Sequence, residues 1–73
     1  MESDMRMKVR EFYEQMKDII RSPIEIQDSD FNTKYEDRIY KKEIDEYLMD
    51  KTIKYIYLSM NGNNTIVVML DEE

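Results

Sequence analysis

The single glycine of this chain lies in the segment Asn61-Gly62-Asn63-Asn64, between two runs rich in β-branched and aromatic residues. The runs extend from Ile53 to Leu58 and from Thr65 to Leu70, and their composition is typical of strands. Asn and Gly both tolerate positive φ, so Asn-Gly between two such runs indicates a tight turn. We therefore predict a β-hairpin in the C-terminal third of the chain.

Apolar residues recur at three- and four-residue spacing from Ser3 to Arg21, which predicts an amphipathic helix. The apolar positions are Met5, Val9, Phe12, Tyr13, Met16, Ile19 and Ile20. Ser3 can cap the first turn. Pro23 ends the helix because it disfavours helical backbone at Ser22.

The middle of the chain predicts one strand, a second short strand and a shorter helix. Residues 24–28 alternate apolar with polar side chains, and residues 31–35 repeat that pattern more briefly. Helical spacing returns over residues 38–50, with Asp37 as its N-cap; the apolar positions are Tyr40, Ile44, Tyr47 and Leu48. These elements predict an α+β fold. In it, a small antiparallel sheet with the C-terminal β-hairpin packs against the N-terminal helix and the second helix.

The composition of the chain argues for a single small domain without catalytic chemistry. Its 73 residues contain no Cys and no His. The chain therefore has no thiolate or imidazole group that could bind a metal or act as a nucleophile or base, and we expect neither an enzyme nor a cofactor. Asp28-x-Asp30-x-Asn32 has the opening spacing of a calcium loop. However, Thr33 and Ile39 occupy the positions that require Gly and Glu, so we expect an ordinary acidic turn.

Negative charge is concentrated in the middle of the chain. The net charge is −6, and residues 23–50 carry nine acidic and four basic side chains. This balance argues against direct binding to nucleic acid or to an anionic membrane. The chain has no apolar run of the roughly 18 residues that a transmembrane helix needs, and no signal-peptide pattern at its start. We therefore expect a cytoplasmic protein.

The acidic middle segment has two interpretations. It is either a solvated face that maintains solubility or a surface that imitates DNA phosphates in the basic groove of a nucleic-acid enzyme. Mimicry requires fixed charge and an apolar anchor beside it. Asp28 and Asp30 in the turn after the first strand, and Glu43 and Asp50 on the second helix, are the candidate charges; exposed Met or Tyr side chains are the candidate anchors.

The segments Ile24-Glu25-Ile26-Gln27-Asp28-Ser29 and Asn61 to Leu70 resemble the uracil-DNA glycosylase inhibitors of bacteriophages, which are small acidic DNA mimics. The resemblance implies that Asp28, at the position of a family Glu, enters the DNA-binding groove of the enzyme beside Ser29. It also implies that one helix face, formed by Ile44, Tyr47 and Leu48, belongs to a pocket for a protruding enzyme side chain. The corresponding location is the cytoplasm of the host cell.

The sequence is also compatible with other functions. The chain is alternatively an anti-CRISPR or anti-restriction inhibitor of a different DNA-binding effector. A regulatory adaptor or antitoxin-like module would bind one protein through Met and Tyr, of which the chain has seven and six, without imitating DNA. A homodimer with a purely structural role is the third alternative.

The predicted hairpin turn can be tested by Gly62→Val. A β-branched residue is poorly tolerated at positive φ, so we expect the free energy of unfolding to fall by more than about 1 kcal/mol. Urea denaturation followed by circular dichroism measures this change. An unchanged denaturation midpoint would show that Gly62 does not occupy a primed turn.

Overall fold

The structure of the protein is a computed structural model, and it describes residues 7–59 and 64–71. Two helices and four strands are present in these residues. In chain order they are α1 (Val9–Met16), β1 (Ile24–Gln27), β2 (Thr33–Asp37), α2 (Glu46–Met49), β3 (Ile53–Leu58) and β4 (Ile66–Leu70). The predicted α+β class, with its N-terminal helix and C-terminal hairpin, is confirmed.

The four strands form one sheet in the order β2-β1-β4-β3. β1 pairs antiparallel with β2, and β3 pairs antiparallel with β4. β1 also pairs with β4, and this pairing is parallel, so the sheet is mixed and differs in this respect from the antiparallel sheet expected from the sequence. The parallel register places Ile24 beside Ile66 and Ile26 beside Val68, which aligns the apolar faces of the two hairpins.

The C-terminal hairpin is described up to both sides of its predicted turn. Leu58 is paired with Ile66, and the Ser59 N–H donates to the Thr65 carbonyl over 2.7 Å. Asn64 has a positive φ of 54°, a conformation that Asn adopts more readily than most residues. Residues 60–63, which include the predicted Asn-Gly turn, lie outside the described residues.

Helix α1 is shorter than the segment predicted from Ser3 to Arg21, and Ser3, the predicted cap, lies outside the described residues. Lys8 has extended backbone and forms an antiparallel bridge to Thr52, so the helix begins only at Val9. The Glu11 carboxylate accepts the Lys8 N–H over 3.0 Å, which satisfies one of the free donors at the helix start. The helix ends at Met16, whose carbonyl then accepts two N–H groups from the following turn.

The second helix spans only four residues, so the prediction of a helix over residues 38–50 was wrong in its extent. Its N-cap position is Asp45 rather than Asp37. Both Ile39 and Ile44 are buried in the core, but five positions on a continuous helix would separate them by about 140° around its axis. A turn after β2, held by the hydrogen bond from the Tyr35 hydroxyl to the Lys42 carbonyl, allows both to reach the core.

The hydrophobic core lies between one face of the sheet and the two helices. Its members are Val9, Phe12, Ile24, Ile26, Tyr35, Ile39, Ile44, Leu48, Met49, Ile53, Val68 and Leu70. Val67 and Met69 are also buried, but strand alternation directs them to the opposite face, and they are not part of this cluster. We call this opposite side the second face of the sheet. No buried side-chain N or O atom of the described residues lacks a hydrogen-bond partner.

Tyr35 provides a test of how the segment after β2 is held. Its side chain is only 3% exposed, and burial raises the pKa of its phenol to about 12 from 10.0. Tyr35→Phe removes the hydrogen bond to Lys42 and should lower the free energy of unfolding by about 0.5–1.5 kcal/mol. Because the neutral phenol is favoured in the folded state, its contribution is complete below pH 10 and is lost as the pH rises through 12.

Urea denaturation at neutral pH and ultraviolet absorbance during an alkaline titration measure the two effects. Tyr47→Phe is the matched control, because Tyr47 is 58% exposed. A tyrosine titration that is unchanged in the Tyr35→Phe variant above pH 10 would contradict the buried position of this phenol.

Candidate protein-binding surface

The hairpin of β1 and β2 is strongly acidic and carries a net charge of −4. Residues 24–37 contain five carboxylates and one basic side chain, that of Lys34. We call this segment the acidic hairpin. It forms one edge of the sheet, because β2 is the outermost strand on that side. Its charges are therefore attached to a rigid, hydrogen-bonded element.

Asp28 organises the loop of the acidic hairpin. One of its carboxylate oxygens accepts the backbone N–H groups of Asp30 and Asn32, each over 2.9 Å. The other oxygen accepts the Asn32 side-chain amide over 3.3 Å and lies 3.6 Å from the Lys34 ammonium. The backbone of Asp28 also bonds Asn32 and Phe31. A single side chain thus fixes the loop from Asp28 to Asn32.

These contacts correct the expectation that Asp28 is exposed in a turn. The residue is buried, with 7% exposure, and its carboxylate oxygens are occupied by the loop. The hydrogen bond from the Asn32 N–H is the main cause that lowers the pKa of this carboxyl. The hydrogen bond from the Asp30 N–H lowers the pKa further. Ser29 and Asp30, by contrast, are exposed. The part of the loop that is accessible to a partner therefore begins after Asp28.

Phe31 lies in the same loop and projects into solvent. Its side chain is 69% exposed, and its φ is 68°. A bulky residue in the left-handed region is an outlier that costs free energy and persists only where neighbouring contacts enforce it. Here the hydrogen bonds of Asp28 enforce it. The loop therefore holds an exposed aromatic ring beside the exposed carboxylate of Asp30.

Two glutamates of the acidic hairpin lie directly opposite each other on the second face of the sheet. Glu25 of β1 is the register partner of Glu36 of β2, an arrangement that is unfavourable for like charges. The Glu25 carboxylate is fixed by the Thr33 hydroxyl at 2.6 Å and the Gln27 amide at 2.8 Å. Glu36 is exposed and makes no ion pair within the described part of the chain.

The acidic row on the second face continues into an aromatic one. Glu25 is the register partner of Val67, which in turn pairs with Tyr57. Tyr55 and Tyr57 are each nearly half exposed, and their ring centroids are 6.0 Å apart. Fixed carboxylates and partly exposed tyrosines therefore share one surface of a rigid sheet.

The candidates around α2 divide into core and surface residues. Ile44 and Leu48 are 4% and 0% exposed and belong to the core of the chain itself, so they do not form an open pocket for a partner side chain. Glu43 and Tyr47 are exposed. Asp50 is exposed as well, but its carboxylate lies 3.3 Å from the Arg10 guanidinium, which also contacts Glu46 at 2.8 Å. Within the described residues, the contacts of Arg10, Glu46 and Asp50 do not reach the loop of the acidic hairpin.

Sequence reasoning did not identify Phe31, Glu25 or Glu36 as surface candidates. The alternation of residues 24–27 indicates that Glu25 points away from the core, so this signal was present in the sequence. The pairing of Glu25 with Glu36 depends on the hairpin register, which contains an irregularity after Ile26. The positive φ of Phe31 has no local sequence signal, because Phe is not a residue that favours it.

Comparisons of the chain with protein-family models, with curated proteins and with solved structures give no match. Within residues 7–59 and 64–71, no group of three or more His, Cys, Asp or Glu side chains is arranged to hold a metal ion. The described helices are also too short and too polar to cross a membrane.

The role of Asp28 in the loop predicts a specific pH dependence. Since its pKa is lowered in the folded state, its contribution to stability is present above the ordinary carboxyl pKa of about 3.9 and is lost as the pH falls through the folded value. Asp28→Asn should lower the melting temperature at neutral pH and reduce its dependence on pH in the acidic range. Thermal unfolding between pH 2 and pH 7 measures both.

Asp30→Asn is the matched control, because the Asp30 carboxylate makes no hydrogen bond or ion pair in the described residues. We expect this variant to melt like the original chain at neutral pH. Equal losses of stability in the two variants would contradict the assignment of the loop to Asp28.

Proposed function

We propose that this protein is an inhibitor of a nucleic-acid-processing enzyme and that the acidic hairpin binds the basic DNA groove of that enzyme. The observation that carries the proposal is the loop from Asp28 to Asn32, which holds an exposed aromatic side chain next to an exposed carboxylate. Mimicry of DNA needs both features, because exposed charge pairs contribute only about 0–1 kcal/mol each and do not give a tight complex alone.

The charge distribution supports this function. Glu25, Glu36 and Asp30 present carboxylates from one edge of the sheet, and the only basic residue of the acidic hairpin, Lys34, is directed to Asp28. An enzyme that binds DNA has a groove of positive potential, and a surface of complementary sign increases the rate of association. Glu25 and Glu36 repel each other in the free protein, and a basic side chain of the enzyme placed between them would neutralise this repulsion.

The exposed ring of Phe31 supplies the apolar anchor. Aromatic side chains that enter a desolvated pocket dominate the binding energy of many protein interfaces. Because Asp28 holds the loop in one conformation before binding, little conformational entropy is lost when the ring is inserted. The anchor of the complex is therefore assigned to Phe31 rather than to the pocket near Leu48 that the family resemblance implies.

The enzyme proposed first is uracil-DNA glycosylase. The support for this target is the resemblance of residues 24–29 and 61–70 to the phage inhibitors of that enzyme. Asp28 then acts by shaping the loop that enters the groove, and Asp30 and Glu36 face the basic residues. An anti-CRISPR or anti-restriction target would use the same surface, since each of these effectors also has a positively charged DNA channel.

The effect of Phe31→Asn separates binding from folding. Asn tolerates positive φ, so this change should leave the free energy of unfolding unchanged or raise it by up to about 1 kcal/mol. It also removes the anchor, so we expect inhibition of uracil excision from single-stranded DNA to weaken roughly tenfold or more. The assay uses stoichiometric and excess inhibitor, and urea denaturation of the same samples measures stability.

Ile19→Asn is the matched control, because Ile19 is 68% exposed and lies outside the acidic hairpin. Its inhibition should equal that of the original chain. Undiminished uracil excision with the original chain would reject the glycosylase as target. The same comparison is then made with nucleases, restriction enzymes and CRISPR effectors, and full activity of all of them would reject the DNA-mimic function.

The salt dependence of binding distinguishes the inhibitor from an adaptor. Association through matched charge weakens strongly as the ionic strength rises, because the distance beyond which exposed charges are screened, about 8 Å at physiological salt, becomes shorter. An adaptor that binds through the Tyr55 and Tyr57 rings would respond little. An affinity for the partner protein that does not change with salt concentration would favour the adaptor.

A further inference from the structure

Strand β3 forms the edge of the sheet opposite the acidic hairpin and exposes apolar side chains on both of its faces. Tyr55, Ile56, Tyr57 and Leu58 are 47%, 42%, 46% and 52% exposed. Proteins usually protect such an edge with charge, proline or a covering element, because it is a template for another strand. A cavity of about 260 Å³ along this strand, lined by Met7 and residues 53–56, adds to its apolar surface.

The backbone of β3 also has outward-directed hydrogen-bonding groups that no strand of the described residues pairs with. In an antiparallel pair, residues alternate between those bonded to the partner strand and those directed away from it. The Ser59 N–H is bonded to Thr65, so Tyr57 is bonded to its register partner Val67 by alternation. The N–H and C=O groups of Ile56 and Leu58 then point to the outer edge. Residues 7–9 cover only the start of this edge, up to Ile53.

The sequence of β3 is suited to pairing with itself. If two copies pair antiparallel about Ile56, each Ile56 faces its counterpart, Tyr55 faces Tyr57 of the other copy, and Lys54 faces Leu58. Aromatic pairs across strands are favourable. The two lysines at position 54 would be about 14 Å apart along the strands, which is beyond the Debye length of about 8 Å.

Charge favours a second copy as the occupant of this edge. Residues 51–58 contain two lysines and no acidic residue, whereas the whole chain carries a net charge of −6. Two copies that meet through β3 therefore keep their acidic segments apart. A strand from a basic enzyme would meet lysines here, while the acidic hairpin on the opposite edge would attract it.

The exposed area agrees with a reversible dimer. With about 200 Å² for a side chain of this size, the four residues expose roughly 400 Å² per copy. Two copies together would bury at most about 800 Å² of side-chain surface, which is below the approximately 1,600 Å² of a standard interface. We infer that β3 pairs with β3 of a second copy, forming a continuous sheet of eight strands in a weak, concentration-dependent homodimer.

Sedimentation equilibrium of the full chain, from micromolar to millimolar concentration, tests this inference together with amide hydrogen exchange. We expect dimer formation, and protection of the Ile56 and Leu58 amides that increases with concentration. The Tyr57 amide is the internal control, because its bond to β4 is present in the monomer and its protection should change far less. Ile56→Lys and Leu58→Lys should each weaken the dimer about tenfold or more, since edge lysines oppose strand pairing.

Ile19→Lys, at an exposed apolar position away from β3, is the control variant and should dimerise like the original chain. Circular dichroism identifies any variant that fails to fold, and hydrogen exchange of the original chain decides the question in that case. A chain that stays monomeric at millimolar concentration would overturn the inference. Protection of Ile56 and Leu58 that does not depend on concentration would also overturn it, because a segment of the same chain would then cover the edge.

Discussion

The parallel pairing of β1 with β4 joins two hairpins that are otherwise formed from local partners. Four registered pairs connect the strands, and the apolar members of these pairs, such as Ile24 with Ile66 and Ile26 with Val68, direct their side chains toward the helices. Without this pairing, each hairpin would be an isolated two-stranded unit, which is marginally stable at best in water. The core, the orientation of α1 and the separation of the two sheet edges all depend on it.

The two edges of the sheet differ in which polar and apolar groups they expose. At the β2 edge, the carboxylate of Asp28 is used internally, so the loop presents Asp30 and Phe31 in a fixed conformation. At the β3 edge, apolar side chains are exposed, and the outward backbone groups have no partner strand in the described part of the chain. Each arrangement lowers the stability of the isolated chain. At the β2 edge the cost comes from the positive φ of Phe31, and at the β3 edge it comes from the exposed apolar area. Such local compromises are expected where a protein contacts other molecules.

The sequence predicted those parts of the fold that depend on local signals. The strand runs that flank Gly62 and the apolar periodicity around Phe12 each concern neighbours within one element, and both elements are present. The first residue of α1 was misplaced because Lys8 pairs with Thr52, a contact between distant segments. The extent of α2 and the parallel register of β1 likewise depend on long-range packing. Asp28 was assigned to the surface because its residue type, without the loop geometry, indicates exposure.

The position of β1 in the sheet has a consequence during protein synthesis. β1 pairs on one side with β2, which follows it closely, but its other partner, β4, is translated about 40 residues later. At ~5–20 residues per second, roughly 2–8 s pass before β4 is even made. Until then the core around Ile24 and Ile26 cannot be completed, and the side of β1 that pairs with β4 has no partner strand. The protein therefore reaches its native sheet only after β4 has been synthesised and has left the ribosome.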